Sequence, residues 1–280
     1  MTALLASSMP FCDLILFMVA ARIASECIAF APPGAFRSTP RISCTQRYNW
    51  FENLFPELND PEAAADRLKK FPEQYTATYD MSTVVVPSDG PDAKIVRSLL
   101  KQTQLETREL QLVFDANQHG WSPHEFHKQV DGKGAAIVLA NGNTFDGPII
   151  VGGYNVKGWT SLGGARPSVA AFLFYSKDGG TVFQKLKKVG GGGLACAKDD
   201  PEFGIAFGPD GLVIGLQPGK EKVATSKLGP YYERGPDELP CLFGYKGGAI
   251  RLDNVKVLVG VYSHDDEIPY SGAVMDMTSG

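Results

Sequence analysis

Glycine placement constrains this chain most. Of its 31 glycines, only Gly34 and Gly90 precede residue 120, so 29 fall in the last 161 residues. Glycine supplies the positive φ values and close backbone approaches that tight turns require. Between these glycines lie short apolar runs, at residues 110–114, 135–140, 149–153, 170–175, 203–207, 212–215 and 250–262. Short runs separated by Gly-, Pro- and Asp-rich turns predict antiparallel strands rather than a doubly wound parallel sheet. The expected fold class is α+β, an antiparallel β-sandwich of two sheets flanked by helices, with an N-terminal helical extension. At 44% hydrophobic and 21% charged residues the composition is that of a globular chain, which excludes a collagen-like or wholly disordered one. A net charge of −4 provides no basic field for nucleic acid.

The glycine-poor first half divides further. Residues 14–21 (LILFMVAA) are eight apolar residues in a row, too short to span a bilayer but suited to the apolar core of a signal peptide. Residues 30–47 hold three arginines, three prolines and no acid, the composition of a transit peptide. The Ala29-Phe30-Ala31-Pro32 junction resembles the bipartite plastid presequence of diatoms and related algae, cut just before a phenylalanine. The expected organisation is a signal peptide at 1–29, a plastid transit peptide at 30–47, a helical extension at 48–92, a main domain at 93–263 and a flexible tail at 264–280. Plastid localisation follows from this, with secretion or the endomembrane system as the alternative.

Asp60-Pro61-Glu62 is a helix start, and that helix ends before Pro72. Ahead of it Trp50 and Phe51 head an aromatic cluster that packs in cis or forms a contact surface, for instance peripherally on a thylakoid complex. Ile95, Val96, Leu99, Leu100 and Thr103 recur at helical spacing, predicting a second helix from 92 to about 108. Ser122-Pro123-His-Glu125 is another start, with Ser122 as N-cap.

Taken in order, these segments resemble the TLDc domain, the module of the oxidation-resistance proteins. LQLVFDANQHGWSPHEFHKQVDGKGAAIVLA (110–140) has its opening strand, its Gly-x-Ser turn, its Phe-His helix end and its Asp-Gly-Lys-Gly turn. VGGY (151–154), WTS (159–161), AFLFYS (171–176), GIAFGPDGLVIG (204–215) and SKLGPY (226–231) follow in family order. The resemblance implies a helix-flanked β-sandwich, a role in resistance to oxidative stress and, in several relatives, binding to the vacuolar proton-pumping ATPase. It implies no agreed catalytic mechanism. The residues carrying it are Gly120, Ser122, Phe126, His127, Asp131, Gly152, Gly153, Trp159, Phe207 and Gly208. Their expected roles are architectural, with Asp131 bonding its own turn and Trp159 doubling as a contact surface. The family's closing strand carries acids where this chain has Asn254 and Lys256. That departure and plastid import both weigh against binding to the vacuolar-type ATPase, so the expected protein partner is another one.

Other chemistry finds weak footing. His119, His124 and His127 lie within nine residues, but without the i, i+4 histidine pair of a zinc-protease helix. His127 is expected to make a fixed hydrogen bond at the helix end, and no metal is expected. Glycines 190–193 are followed by Leu194-Ala195 rather than Lys-Ser/Thr, so no phosphate loop and no cofactor is expected. Lys185, Lys187 and Lys188 read as a solvated, lysine-protected strand edge. Cys196 and Cys241 read as small buried hydrophobes, with a redox pair as the rival. The expected function is therefore a non-enzymatic TLDc-like protein that supports oxidative-stress resistance in the plastid through protein contacts. A redox-active thiol protein, or a hydrolase with an unrecognised site, is the alternative.

Overall fold

The computed structural model describes residues 61–71, 74–164, 166, 168–189, 198–244 and 247–269. The presequence, Trp50, Phe51, glycines 190–193 and Cys196 lie outside the described residues. Helix α1 (Pro61–Lys70) begins at the expected proline, with Glu62 in its first turn. Helix α2 (Pro91–Arg97) passes into a 3₁₀ turn at Ser98–Leu100. The helix expected to reach residue 108 therefore stops early. Gln102 takes the left-handed φ of 57°, and the Glu106 carboxylate captures its N–H at 2.9 Å. The chain then wraps around Arg97, whose guanidinium donates to Leu105 O at 2.6 Å and forms a buried bidentate pair with Asp89.

Among the described residues nine antiparallel strands follow: β1 (Leu110–Asp115), β2 (Ala136–Thr144), β3 (Gly147–Asn155), β4 (Phe172–Ser176), β5 (Gln184–Lys187), β6 (Ile205–Phe207), β7 (Leu212–Ile214), β8 (Val223–Thr225) and β9 (Ala249–Gly260). Helices α3 (Ala116–His119) and α4 (Pro123–Val130) lie between β1 and β2. Seven of the strands were expected. β5 escaped notice because QKLK is polar, and β8 because three residues are too few to show alternation. The pairing order is β5-β4-β3-β2-β9-β8-β7-β6, with β1 also on β9. β9 is the pivot: Leu252 to Val259 pair with β2, Lys256 to Gly260 with β1, and Ala249 to Arg251 with β8. The result is a β-rich α+β fold. Among the described residues no helix is long and apolar enough to cross a membrane.

The period-2 geometry of β2 explains the core. Ala136, Val138 and Ala140 face one apolar cluster, which contains Phe126, Trp159, Phe207 and Ile214. Ile137 and Leu139 face a second, which contains Val96, Leu99, Leu100, Phe172 and Phe174. The β2–β4 layer is thus covered on both sides, by α4 and β6–β8 on one and by the α2 segment on the other. Gly153 shows how closely β6 approaches, since a Cβ there would lie 2.8 Å from Phe207 Cζ. At Gly152 the approach excludes any side chain, since a Cβ would sit 1.9 Å from Val138 O. In β1 a register shift between Leu112 and Phe114 breaks the alternation. It sends Leu110 to the α2 side and Phe114 to the Phe126 side.

Lys185 departs from the expected solvated edge. Its neighbours Lys187 and Lys188 are half-buried at the surface, but Lys185 is only 4% exposed, with Nζ 4.7 Å above the Phe172 ring. Lys185 and Lys187 share one face of the strand; what separates them is the segment around Asp80, which closes over Lys185, while Lys187 reaches out over the Tyr79 ring.

Candidate functional site

Helix α4 starts where the sequence predicts, with Pro123 at its first position and Ser122 in the extended conformation of an N-cap. The Ser122 hydroxyl makes no capping hydrogen bond, however, so only its backbone does the work, accepting Phe126 N–H at 3.0 Å. The apolar side of the helix buries Phe126 and Val130. Phe126 packs edge-on against Phe114, Trp159 and the His127 ring. Burying a side chain of this size contributes roughly 2–3 kcal/mol.

His127, one residue further along and 6% exposed, is the centre of a polar cluster. Its Nδ1 lies 2.9 Å from Asp131 Oδ1 and 3.0 Å from Ser161 Oγ, and its Nε2 lies 3.1 Å from the Phe203 carbonyl oxygen. The Ser161 hydroxyl donates to the other Asp131 oxygen. Asp131 thus bonds not its own turn, as the sequence suggested, but one helical turn back and across to the 159–161 loop. Its i, i+4 spacing from His127 makes the first of those contacts possible.

A second carboxylate secures that loop. Asp199 is fully buried and accepts the backbone N–H groups of Thr160 and Ser161 at 2.8 Å and of Leu162 at 3.2 Å. The Thr160 hydroxyl donates to it at 3.0 Å. Ser161 is held at φ 57°, a left-handed conformation that costs a serine about 1–2 kcal/mol. The Asp199 bonds offset that strain. Trp159 completes the fastening: its indole N–H donates to Lys198 O at 2.9 Å and its carbonyl accepts Gly132 N–H at 2.8 Å. Trp159 is 0% exposed, which corrects the expectation that it forms a contact surface. A tryptophan in a loop can be a core residue when the loop is tied down over the sheet.

The partners dictate the protonation of His127. The Phe203 carbonyl can only accept, which favours a proton on Nε2, and the Asp131 carboxylate favours another on Nδ1. Together they favour the imidazolium form of the ring. Burial pulls its pKa down, but the hydrogen bond and charge of Asp131, with the Phe203 carbonyl, outweigh that and raise it above the usual histidine range. This state is unsuited to activating a serine, because a general base must accept a proton. The Ser161 proton goes to Asp131, and the loop N–H groups that would form an oxyanion hole are taken up by Asp199. The arrangement is a clamp between helix α4, the 159–162 loop and the 199–203 turn.

Ligand atoms of His127, Asp131 and Asp199 lie within 4.8 Å of one another, so the third ligand that the sequence did not supply does converge here. A cation would have to displace the His127 proton and the donors already on Asp199. The donor set is that of a hydrogen-bonded clamp. The three histidines themselves do not converge. His119 Nδ1 accepts Asp115 N–H at 3.0 Å, and the His124 side chain is solvent-exposed beside Glu125, at the wall of a cleft that His127 also lines. The clamp forms part of the wall of this cleft of about 650 Å³, which His127, Asp131 and Ser161 line together with Ser122, His124, Lys128, Glu202 and Gln217 among others.

The remaining expected residues scatter. Gly120 ends α3 at φ 94°, where a side chain would be strained, and Gly208 lies in the turn from β6 to β7. Phe207 faces Gly153 and Trp159. Cys241 is 3% exposed and directs its thiol to Gly244 O and Gly247 O. Burial pushes the thiol up, outweighing the backbone groups of Phe243 and Gly244, which favours the inert thiol over the redox reading for this residue. Lys256, where the family carries an acid, reaches both Asp92 oxygens at 2.8 Å. Asn254 accepts the N–H groups of Asn117 and Val255. In the expected tail, Asp266 is paired with Arg108 at 3.1 Å.

Asp199 was missed. It precedes another acid, Asp200, which is half-exposed beside Lys198, and nothing in adjacent identical residues says which one turns inward. Ser161 was visible only as part of a motif. Residues 90–231 match the TLDc domain family, a span that contains the whole clamp and β1–β8 and ends before β9. No curated protein matches the chain.

Proposed function

The chain belongs to the TLDc domain family, that of the oxidation-resistance proteins, and on that premise we propose that it supports resistance to oxidative stress in a plastid through protein contacts rather than catalysis. The observation that carries this is the clamp. The polar residues that carry the family resemblance, His127, Asp131 and Ser161, are committed to one another and to backbone groups. They hold a loop in place and leave His127 engaged at both ring nitrogens rather than poised as a base. The plastid address rests on the arginine-rich, acid-free stretch at 30–47 and its Ala29-Phe30 junction. A partner other than the vacuolar pump fits the position of Lys256, whose charge is neutralised within the domain by Asp92. The same reading takes β6–β8 as the second layer of a sandwich, supported by the contact of Gly153 with Phe207.

The test is a strain lacking the protein, challenged with peroxide or high light and complemented with the wild type or with Ser161→Ala. Reduced survival, restored by both, is the expected result. Undiminished survival would sink the protective role. Failure of a folded Ser161→Ala protein to complement would return the site to catalysis.

A further inference from the structure

A second buried cation sits far from the clamp in pairing order, on the edge strand β5. Lys185 lines a cavity of about 320 Å³, with Tyr79, Met81, Phe183 and Glu233 among its other walls. Its Nζ has the Phe172 ring on one side and one weak acceptor, Asp80 O, at 3.5 Å. Among the described residues no carboxylate pairs with it. Of the two acids in the wall, Glu233 and Glu238, the first is already taken: it accepts Tyr79 Oη–H at 2.5 Å and Lys187 N–H at 2.7 Å. An amine buried against a ring with no carboxylate in contact is disfavoured as an ammonium. Burial, with Lys187 nearby, outweighs the attraction of the Asp80 and Glu106 charges and pulls Lys185 down to about 8.

We propose that Lys185 is a carbonyl-capturing amine, which condenses reversibly with small aldehydes admitted to this cavity. The Nζ lone pair attacks the carbonyl carbon, a C–N bond forms, and the nitrogen loses a proton while the oxygen gains one, giving a carbinolamine. The oxygen then takes a second proton from water and departs as water, the nitrogen lone pair forms the C=N bond to Lys185, and the nitrogen's remaining proton passes to the hydroxide left behind; no electrons are exchanged with any other group. Two features select the substrate class. The volume is at the small end for a ligand site, with Tyr79, Met81 and Phe183 supplying apolar wall among the polar Gln184, Glu233, Arg234 and Glu238, and the neutral amine is the form that attacks carbonyls. This activity does not depend on the protein-contact function, and its test is chemical rather than physiological.

The experiment compares lysines within one full-length wild-type chain, so no variant need fold. The protein is exposed briefly to hexanal with cyanoborohydride, which reduces each imine to a stable secondary amine, and peptides are quantified by mass spectrometry. At pH 7 about one Lys185 amine in ten is unprotonated, against roughly one in three thousand for an ordinary lysine. Lower basicity and restricted entry reduce that margin, so Lys185 is expected to be modified about ten-fold faster than the exposed Lys94 and Lys128. Its rate should level off above about pH 8 while theirs keep climbing. In Lys185→Met the fast modification should vanish and the slow ones persist. Modification of Lys185 no faster than of Lys94 and Lys128, or a rate that climbs with pH as theirs do, would overturn the proposal.

Discussion

His127 and Lys185 are both cationic side chains buried in the same domain, 6% and 4% exposed, yet burial affects them oppositely. Around His127 the chain has arranged an acceptor for each N–H, one of them a carboxylate, and the charged form is favoured. Around Lys185 it has arranged aromatic rings and one distant carbonyl, and the charged form is disfavoured. Desolvation acts against the charge in both places. What differs is the partner, and the partner decides whether a buried cation becomes a fastener or a nucleophile.

The contrast breaks most readily at Asp199. Replacing it with alanine leaves three backbone N–H groups and the Thr160 hydroxyl without their acceptor. Urea denaturation should show a loss of about 3–5 kcal/mol. His127→Gln keeps some hydrogen bonding but loses the charge, and should cost about 2 kcal/mol at pH 6. Lys185→Met removes an unpaired buried charge and should instead stabilise the protein by about 1 kcal/mol at pH 7. If Lys185→Met destabilises as His127→Gln does, the two sites are alike and the distinction fails.

The pH dependence sharpens the comparison by sign. His127 has a folded pKa raised above its unfolded value of 6.5. Its contribution is therefore complete below pH 6.5 and is lost as pH rises through the folded value. Lys185 has a folded pKa lowered to about 8 from 10.5. Between those values the unfolded chain binds more protons, so stability rises with pH, and the benefit of Lys185→Met shrinks above pH 8. Melting temperatures scanned from pH 6 to 10 should show both slopes, the first absent in His127→Gln and the second in Lys185→Met.

Much of the fold was legible in the sequence because it is encoded locally. Glycine-bounded apolar runs announced seven strands, and Ser122-Pro123-His-Glu125 announced α4 to the residue. Errors arose where distant groups intervened. The second helix stopped early because Glu106 and Arg97 draw the chain around themselves. The burial of Trp159 depended on Lys198 and Gly132, far away in the chain. Phe126 and His127 were legible as a motif, but their companions Ser161 and Asp199 come from separate loops, and only folding shows that they meet.

By itself, then, the sequence determined the α+β class, the turn-rich character beyond residue 120 and the family, since periodicity, capping and turn residues act over a few positions. Tertiary structure decided which polar groups turn inward and what they meet there. That is why His127 is a clamp, Asp199 its anchor, Trp159 a core residue and Lys185 an unpaired amine. A side chain's charge state depends on the dielectric and the partners around it, and those come from segments the local sequence does not contain.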